Sequence, residues 1–231
     1  MAAAGRGPSK ADRVHGILRR RIREGALAPG APLRKEDIAA ELGVSRAPVS
    51  EALARLADEG LVEIFPQHGS FVAPIRPADV REALFIRAAL EVEAMRRLAP
   101  VADATLVAKL DENLSGQALA LDVGDLARFH DLDEALHALL FSAVDFPRAA
   151  RLLDAARAPL DRLRRSALPA PGRPQATLAE HRWLVEAVRA RDADLAAAAM
   201  RAHLARVTQS VERELLAASN RSPGEPRGVP V

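Results

Sequence analysis

Cysteine is absent from this chain of 231 residues, and so is tyrosine. Without cysteine there is no disulfide framework and no thiolate metal site. Aromatic residues make up only 3%, so one of the usual materials of β-strands is scarce. No apolar run approaches the ~20 residues that a membrane helix needs. The opening "MAAAGRGPSK" lacks the apolar stretch of a secretory signal. The chain is therefore expected in the cytoplasm, with no membrane partner. A large charge excess is missing too. The net charge of +2 does not by itself announce a nucleic-acid binder.

What is present favours helix. Alanine, leucine and arginine dominate, and all three are strong helix formers. The length suffices for two small domains or one large one. Positive charge is gathered at the front, where Arg6, Lys10, Arg13, Arg19, Arg20, Arg21 and Arg23 face Asp12 alone. A basic first helix of this kind can sit near phosphates or form a solvated charged face.

Residues 1–10 read as a disordered tail and residues 11–25 as a short helix, with Val14, Leu18 and Ile22 at helical spacing. "ALAPGAPL" ends it. A helix follows at about 35–42 and closes at Gly43, a residue suited to the left-handed C-cap. Ser45 is expected to cap a further helix running to about Asp58. "LVEIF" and "SFVAP" flank "PQHG" as two strands of a hairpin. From about residue 76 the pattern is wholly helical, with helices expected near 78–99, 103–120, 123–144, 147–167, 175–190 and 192–217. The Pro/Gly-rich end, 218–231, reads as a second disordered tail. The boundary between the two halves is placed near Pro74–Pro77, and no internal repeat is evident.

Three helices and a hairpin in the front half predict a winged helix-turn-helix. The start of the second helix of such a pair enters the major groove. Val49, Leu53 and Leu56 should face the core, leaving Ser45, Arg46, Ala47 and Ser50 outward. Arg46 is placed to pair with guanine or clamp phosphate, and Ser45 and Ser50 to donate to phosphate oxygens. Arg34 and Lys35 would position the backbone, and Gln67, His68 and Gly69 form the wing tip.

The run Gly-Val-Ser-Arg-x-Pro-Val-x-Glu-Ala-Leu, residues 43–53, with Glu-Gly-Leu-Val at 59–62, resembles the DNA-binding domain of GntR-family transcription regulators. The resemblance covers about residues 11–75. Arg46 matches a recognition-helix arginine of that family. Ser50 stands where the family usually has another.

The rear half carries an oddity in "DLDEALH", residues 131–137. Leu126, Phe129, Leu132, Leu136 and Leu140 mark an apolar face, and Asp133 and His137 fall within or beside it. His181 lies in the apolar arc of Leu178, Val185 and Val188, and His203 lies close to Met200 and Val207. Each could be a hydrogen-bonded core residue. Together, four inward polar groups on three helices would be costly to bury unpaired, and one divalent cation would satisfy all of them. A His3Asp set suits Zn, Ni, Mn or Fe(II) and does not choose among them. His130, nearer the edge of the arc, is a lesser candidate. The arginines at 151–165 read as a solvated face or a dimer rim.

This half resembles the FadR-type effector domain (FCD) over about residues 78–217, through "RAALEVEA" (87–94), Asp-x3-His (133–137) and "EHRWLVEAVRARDADLAAAAMRAHL" (180–204). Leu136 replaces a frequent phenylalanine, and "VDFP" (144–147) a frequent Gly-Asn pair. The resemblance implies an all-α antiparallel bundle that dimerises, holds a metal through Asp133, His137, His181 and His203, and binds a small carboxylate. Arg87 matches a family arginine suited to that carboxylate. Its alternative is a surface pair with Glu91, four residues on. The whole is expected to be mainly α and not an enzyme. It reads as a ligand-responsive regulator, more often a repressor, acting as a homodimer on a palindromic DNA operator. Two rivals are a metal-ion-sensing regulator and a His3Asp metal-dependent hydrolase. Against the hydrolase, no further inward residue stands out as a general base.

Overall fold

The computed structural model describes residues 9–166 and 170–221, with side chains described up to Leu216 apart from that of Ser166. Most of the two tails expected at 1–10 and 218–231 lies outside the described residues. The exceptions are Ser9, which caps the first helix, Lys10, which begins it, and residues 218–221, which belong to the last helix.

The described chain runs through α1 (Lys10–Arg23), α2 (Lys35–Leu42), α3 (Arg46–Asp58), β1 (Val62–Phe65) and β2 (Gly69–Val72). It continues through α4 (Pro77–Leu98), a 3-10 turn, α5 (Ala104–Asp122), α6 (Leu126–Ser142), α7 (Pro147–Ser166), α8 (Arg173–Arg189) and α9 (Ala193–Arg221). It forms two compact units. One takes in the chain up to Val80 together with Arg157–Ser166, and the other the remainder.

In the first unit, α1 begins with a capping box in which Ser9 and Asp12 exchange side chain-to-backbone bonds at 3.0 Å each. Val14, Leu18 and Ile22 are buried against Val49, Leu53 and Leu56 of α3. α2 ends at Gly43, whose φ of 63° places it in the left-handed C-cap. Ser45 occupies the N-cap of α3, but its hydroxyl makes no capping bond. β1 and β2 pair antiparallel, from Val62 opposite Val72 to Phe65 opposite Gly69. The segment before α2 runs along the other edge of β2, where the Leu33 N–H donates to Ser70 O at 2.7 Å.

Of the two readings of the arginines at 151–165, the solvated face fails. The arginines of α7 do not all lie on a solvated face, since Arg157 and Arg162 are buried. The Arg162 guanidinium donates to the Ala73 carbonyl, Arg23 pairs with Asp161, and Ala158 joins the core of α1 and α3. Burial pushes the Arg162 pKa below its usual value.

The second unit is a helical bundle. Met95 and Leu98 of α4, Leu110 of α5, Leu136 and Leu140 of α6, Leu184 and Val188 of α8, and Met200 and Leu204 of α9 form one buried core. α5 packs along α6 and α8, and α8 along α9.

Candidate functional site

Three imidazoles meet inside the bundle. His137 comes from α6, His181 from α8 and His203 from α9, all at 2% exposure or less. One ring nitrogen from each lies within 4.8 Å of the others. Asp133, one turn before His137, places Oδ1 3.3 Å from His181 Nε2 and so reaches the group from its side.

The outward nitrogens meet partners on two further helices and on α8 itself. His137 Nδ1 lies 2.5 Å from Glu91 Oε2. Glu91 Oε1 accepts from Arg87 Nε at 2.7 Å, and an Arg87 Nη sits 3.4 Å from His137 Nε2. His181 Nδ1 lies 2.8 Å from Gln117 Oε1. Gln117 donates to Asn113 Oδ1 at 2.7 Å, and Asn113 donates to the Leu132 carbonyl at 3.1 Å. That carbonyl can only accept, so each link is directed and the His181 Nδ1 is the donor. His203 Nδ1 lies 2.8 Å from Glu180 Oε2. Its Nε2 is buried without a hydrogen-bond partner.

Burial pushes the His203 pKa below its ordinary value, outweighing the upward pull of the Glu180 hydrogen bond. Burial thus favours the neutral form of this imidazole. Burial also works to raise the Glu180 pKa. The hydrogen bonds from His203 and Arg173 outweigh it and hold the carboxylate below its usual range. The cluster thus offers inward-facing imidazole nitrogens braced from behind, an arrangement able to hold a divalent cation.

At the other site, Arg46 opens α3 and is largely exposed, with Nη1 3.3 Å from Glu36 Oε1. Ser45 and Ala47 are exposed beside it, and Ser50 is half-buried. Arg34, Lys35, Gln67, His68 and Gly69 line one cleft of about 630 Å³ between α2 and the hairpin turn. Gly69 has φ 110° and Gln67 φ 65°, so the turn is tight at both residues.

The signature of gntR-family bacterial regulatory proteins matches residues 10–72, and that of the FCD domain matches residues 82–206. The chain belongs to the GntR family. It is a transcription regulator of the FCD-containing type, and its relatives are regulators rather than enzymes. The HTH-type transcriptional repressor RspR of Escherichia coli K12 is 35% identical over 87% of this chain and 88% of its own length. An HTH-type regulator in an unstable DNA locus of Streptomyces ambofaciens is 41% identical over 85% of this chain and 82% of its own. Among solved structures, a putative GntR regulator from Rhodococcus sp. RHA1 superposes with a TM-score of 0.76 at 26% identity, covering 88% of this chain and 98% of that one. E. coli McbR/YncC shares the fold, with a TM-score of 0.79 at 21% identity over 90% and 99%.

The predicted residues divide in an informative way. His137, His181 and His203 come together, with Asp133 alongside. His130 is half-buried against Phe129 and outside the group. Arg87 does form its pair with Glu91, but the pair is in the bundle interior rather than on the surface. The interior also holds two carboxylates, Glu91, expected on the surface, and Glu180, which sequence reasoning passed over, each engaged by an arginine and a histidine. Asn113 and Gln117 were missed as well. They continue the stripe of Leu106, Leu110 and Ala120, and an amide pair in an apolar stripe was the available signal.

Proposed function

We propose that this GntR-family regulator is a ligand-responsive repressor whose helical unit senses a small organic acid beside a bound divalent metal. The observation that carries this reading is the convergence of three buried imidazoles with Arg87 against them. His137, His181 and His203 would hold the ion, with Asp133 as fourth donor. Zn, Ni, Mn and Fe(II) all suit nitrogen and carboxylate ligands. The fit is supported by the His203 Nε2, a buried lone pair with nothing else to meet. When bound, such an ion supplies positive charge and a coordination position for an anion. Arg87, buried and within 3.4 Å of His137, is placed to take a carboxylate.

The front domain, residues 11–75, would read a palindromic operator as one half of a homodimer. Ser45, Arg46, Ala47 and Ser50 would enter the major groove. Arg34, Lys35, Gln67, His68 and Gly69, which share one cleft, would meet the backbone and the neighbouring groove. The effector domain, residues 78–217, would shift the pair of front domains between arrangements. Linkage then requires DNA to change effector affinity by the same factor.

The test is a titration of operator affinity with candidate carboxylates on zinc-loaded protein and on His137→Ala. Zinc content and acid response should fall together in the variant while helical content persists. A response to metal without any acid would favour the metal-sensing alternative. Unchanged zinc content in the variant would remove the ion from this site.

A further inference from the structure

We infer that Glu180 is a positioning residue for the ion site: anchored by Arg173, it keeps the proton of His203 on Nδ1 and leaves the Nε2 lone pair facing inward. This rests on the metal reading above for its purpose, but not for its geometry.

Arg173, at the start of α8, donates from Nη1 to Glu180 Oε1 at 2.7 Å and from Nη2 to Oε2 at 3.3 Å. Arg206 Nη1 adds a more distant cation, 3.9 Å from Oε1. Two guanidinium groups thus keep the carboxylate ionised, and an ionised carboxylate only accepts. Oε2 is the atom that faces His203 Nδ1. A neutral imidazole has one N–H, and here it must be Nδ1–H. The other nitrogen is then a bare lone pair among His137 and His181. An imidazole with its proton on Nε2 would present a hydrogen to the same space and could not ligate.

A near-isosteric change should therefore have an unusual outcome. In Glu180→Gln the amide oxygen is drawn to the guanidinium side, because an NH2 there would face the Arg173 donor at about the 2.7 Å contact. The NH2 then turns to His203 Nδ1, which must accept, and the proton moves to Nε2. Adding Arg173→Met frees the amide to rotate, so its oxygen can accept from Nδ1–H again.

The experiment is long-range ¹⁵N–¹H NMR of His203 in metal-free full-length protein, with zinc affinity measured by competition against a chromophoric chelator. Wild type and Arg173→Met should show Nδ1–H, Glu180→Gln should show Nε2–H, and the double variant should return to Nδ1–H. Zinc affinity should drop about 10–100-fold in Glu180→Gln and recover in the double variant. Affinity alone also follows net charge, whereas the tautomer does not. Glu180→Gln that keeps Nδ1–H overturns the inference, as does a double variant that keeps Nε2–H. Wild type that takes up no zinc but shows the expected tautomers overturns the metal reading and upholds the positioning role.

Discussion

Gln117 is fully buried and holds two hydrogen bonds at once, accepting from His181 and donating to Asn113. Replacing it with leucine keeps the volume close and removes both. His181 Nδ1–H and Asn113 Oδ1 then lose these partners, and each buried polar group left unsatisfied costs about 1–3 kcal/mol. The two together come to about 2–6 kcal/mol, and leucine recovers part of it, because on folding it takes more apolar surface out of water than glutamine does. The net loss is roughly 2–4 kcal/mol, and in a chain of this size each kcal/mol moves the melting temperature by about 2–4 °C. Gln117→Leu should therefore lower the melting temperature of metal-free protein by roughly 10 °C, followed by circular dichroism. Ser115→Ala, on the exposed face of the same helix, should stay within about 0.5 kcal/mol. Equal melting temperatures for Gln117→Leu and wild type would refute the directed chain from the Leu132 carbonyl to His181.

Arg46→Ala should weaken binding to a site selected from random duplexes by about 1–3 kcal/mol, or roughly 5–150-fold. Its exposed pair with Glu36 adds little to stability, so an unchanged melt with unchanged DNA affinity would count against Arg46 as a base reader. Acid should destabilise the metal-free bundle. His203 and Glu180 both have folded pKa values below their ordinary ones, so the unfolded chain binds the extra protons and stability is lost as the pH falls. The loss begins below about 6.5 for His203 and continues below about 4.5 for Glu180; urea midpoints that stay flat from pH 7 to 5 would contradict the buried neutral imidazole. Leu53→Ala, in the core of the first unit, should cost about 2–5 kcal/mol, and a urea titration showing less than about 1 kcal/mol would mean that α3 is not held by that core.

Much of the fold was legible because local chemistry and burial agree. Val14, Leu18 and Ile22 announce one buried stripe, Gly43 ends α2 in the conformation glycine favours, and Pro/Gly turns separate most of the helices of the rear half. The inward histidines were legible for the same reason, since a polar residue inside an apolar arc has to be satisfied by something. Arg87 shows the limit. Spacing of four residues predicts its pair with Glu91, but α4 carries apolar residues on several faces, so periodicity does not say which face is buried. The docking of α7 was hidden more deeply. Arg23 and Asp161 are 138 residues apart, and nothing local in "RAPLDRLRR" tells a solvated arginine from one that reaches a backbone carbonyl.

The direction of hydrogen bonding lies further still from the sequence. A histidine at 181 says that a donor and an acceptor are available, not which nitrogen carries the proton. That choice comes from a carbonyl on α6, two amides on α5 and the ring on α8, each link forced by the one before it. On the other side of the cluster the same choice comes from an ion pair within α8 acting on α9. Two unrelated devices thus direct Nδ1 outward on neighbouring rings. A core that needed only to satisfy its histidines could let the two rings hydrogen-bond to each other, one donating and one accepting. Directing both donors outward forgoes that bond and concentrates lone pairs at one point, which favours a cation there over a purely structural core.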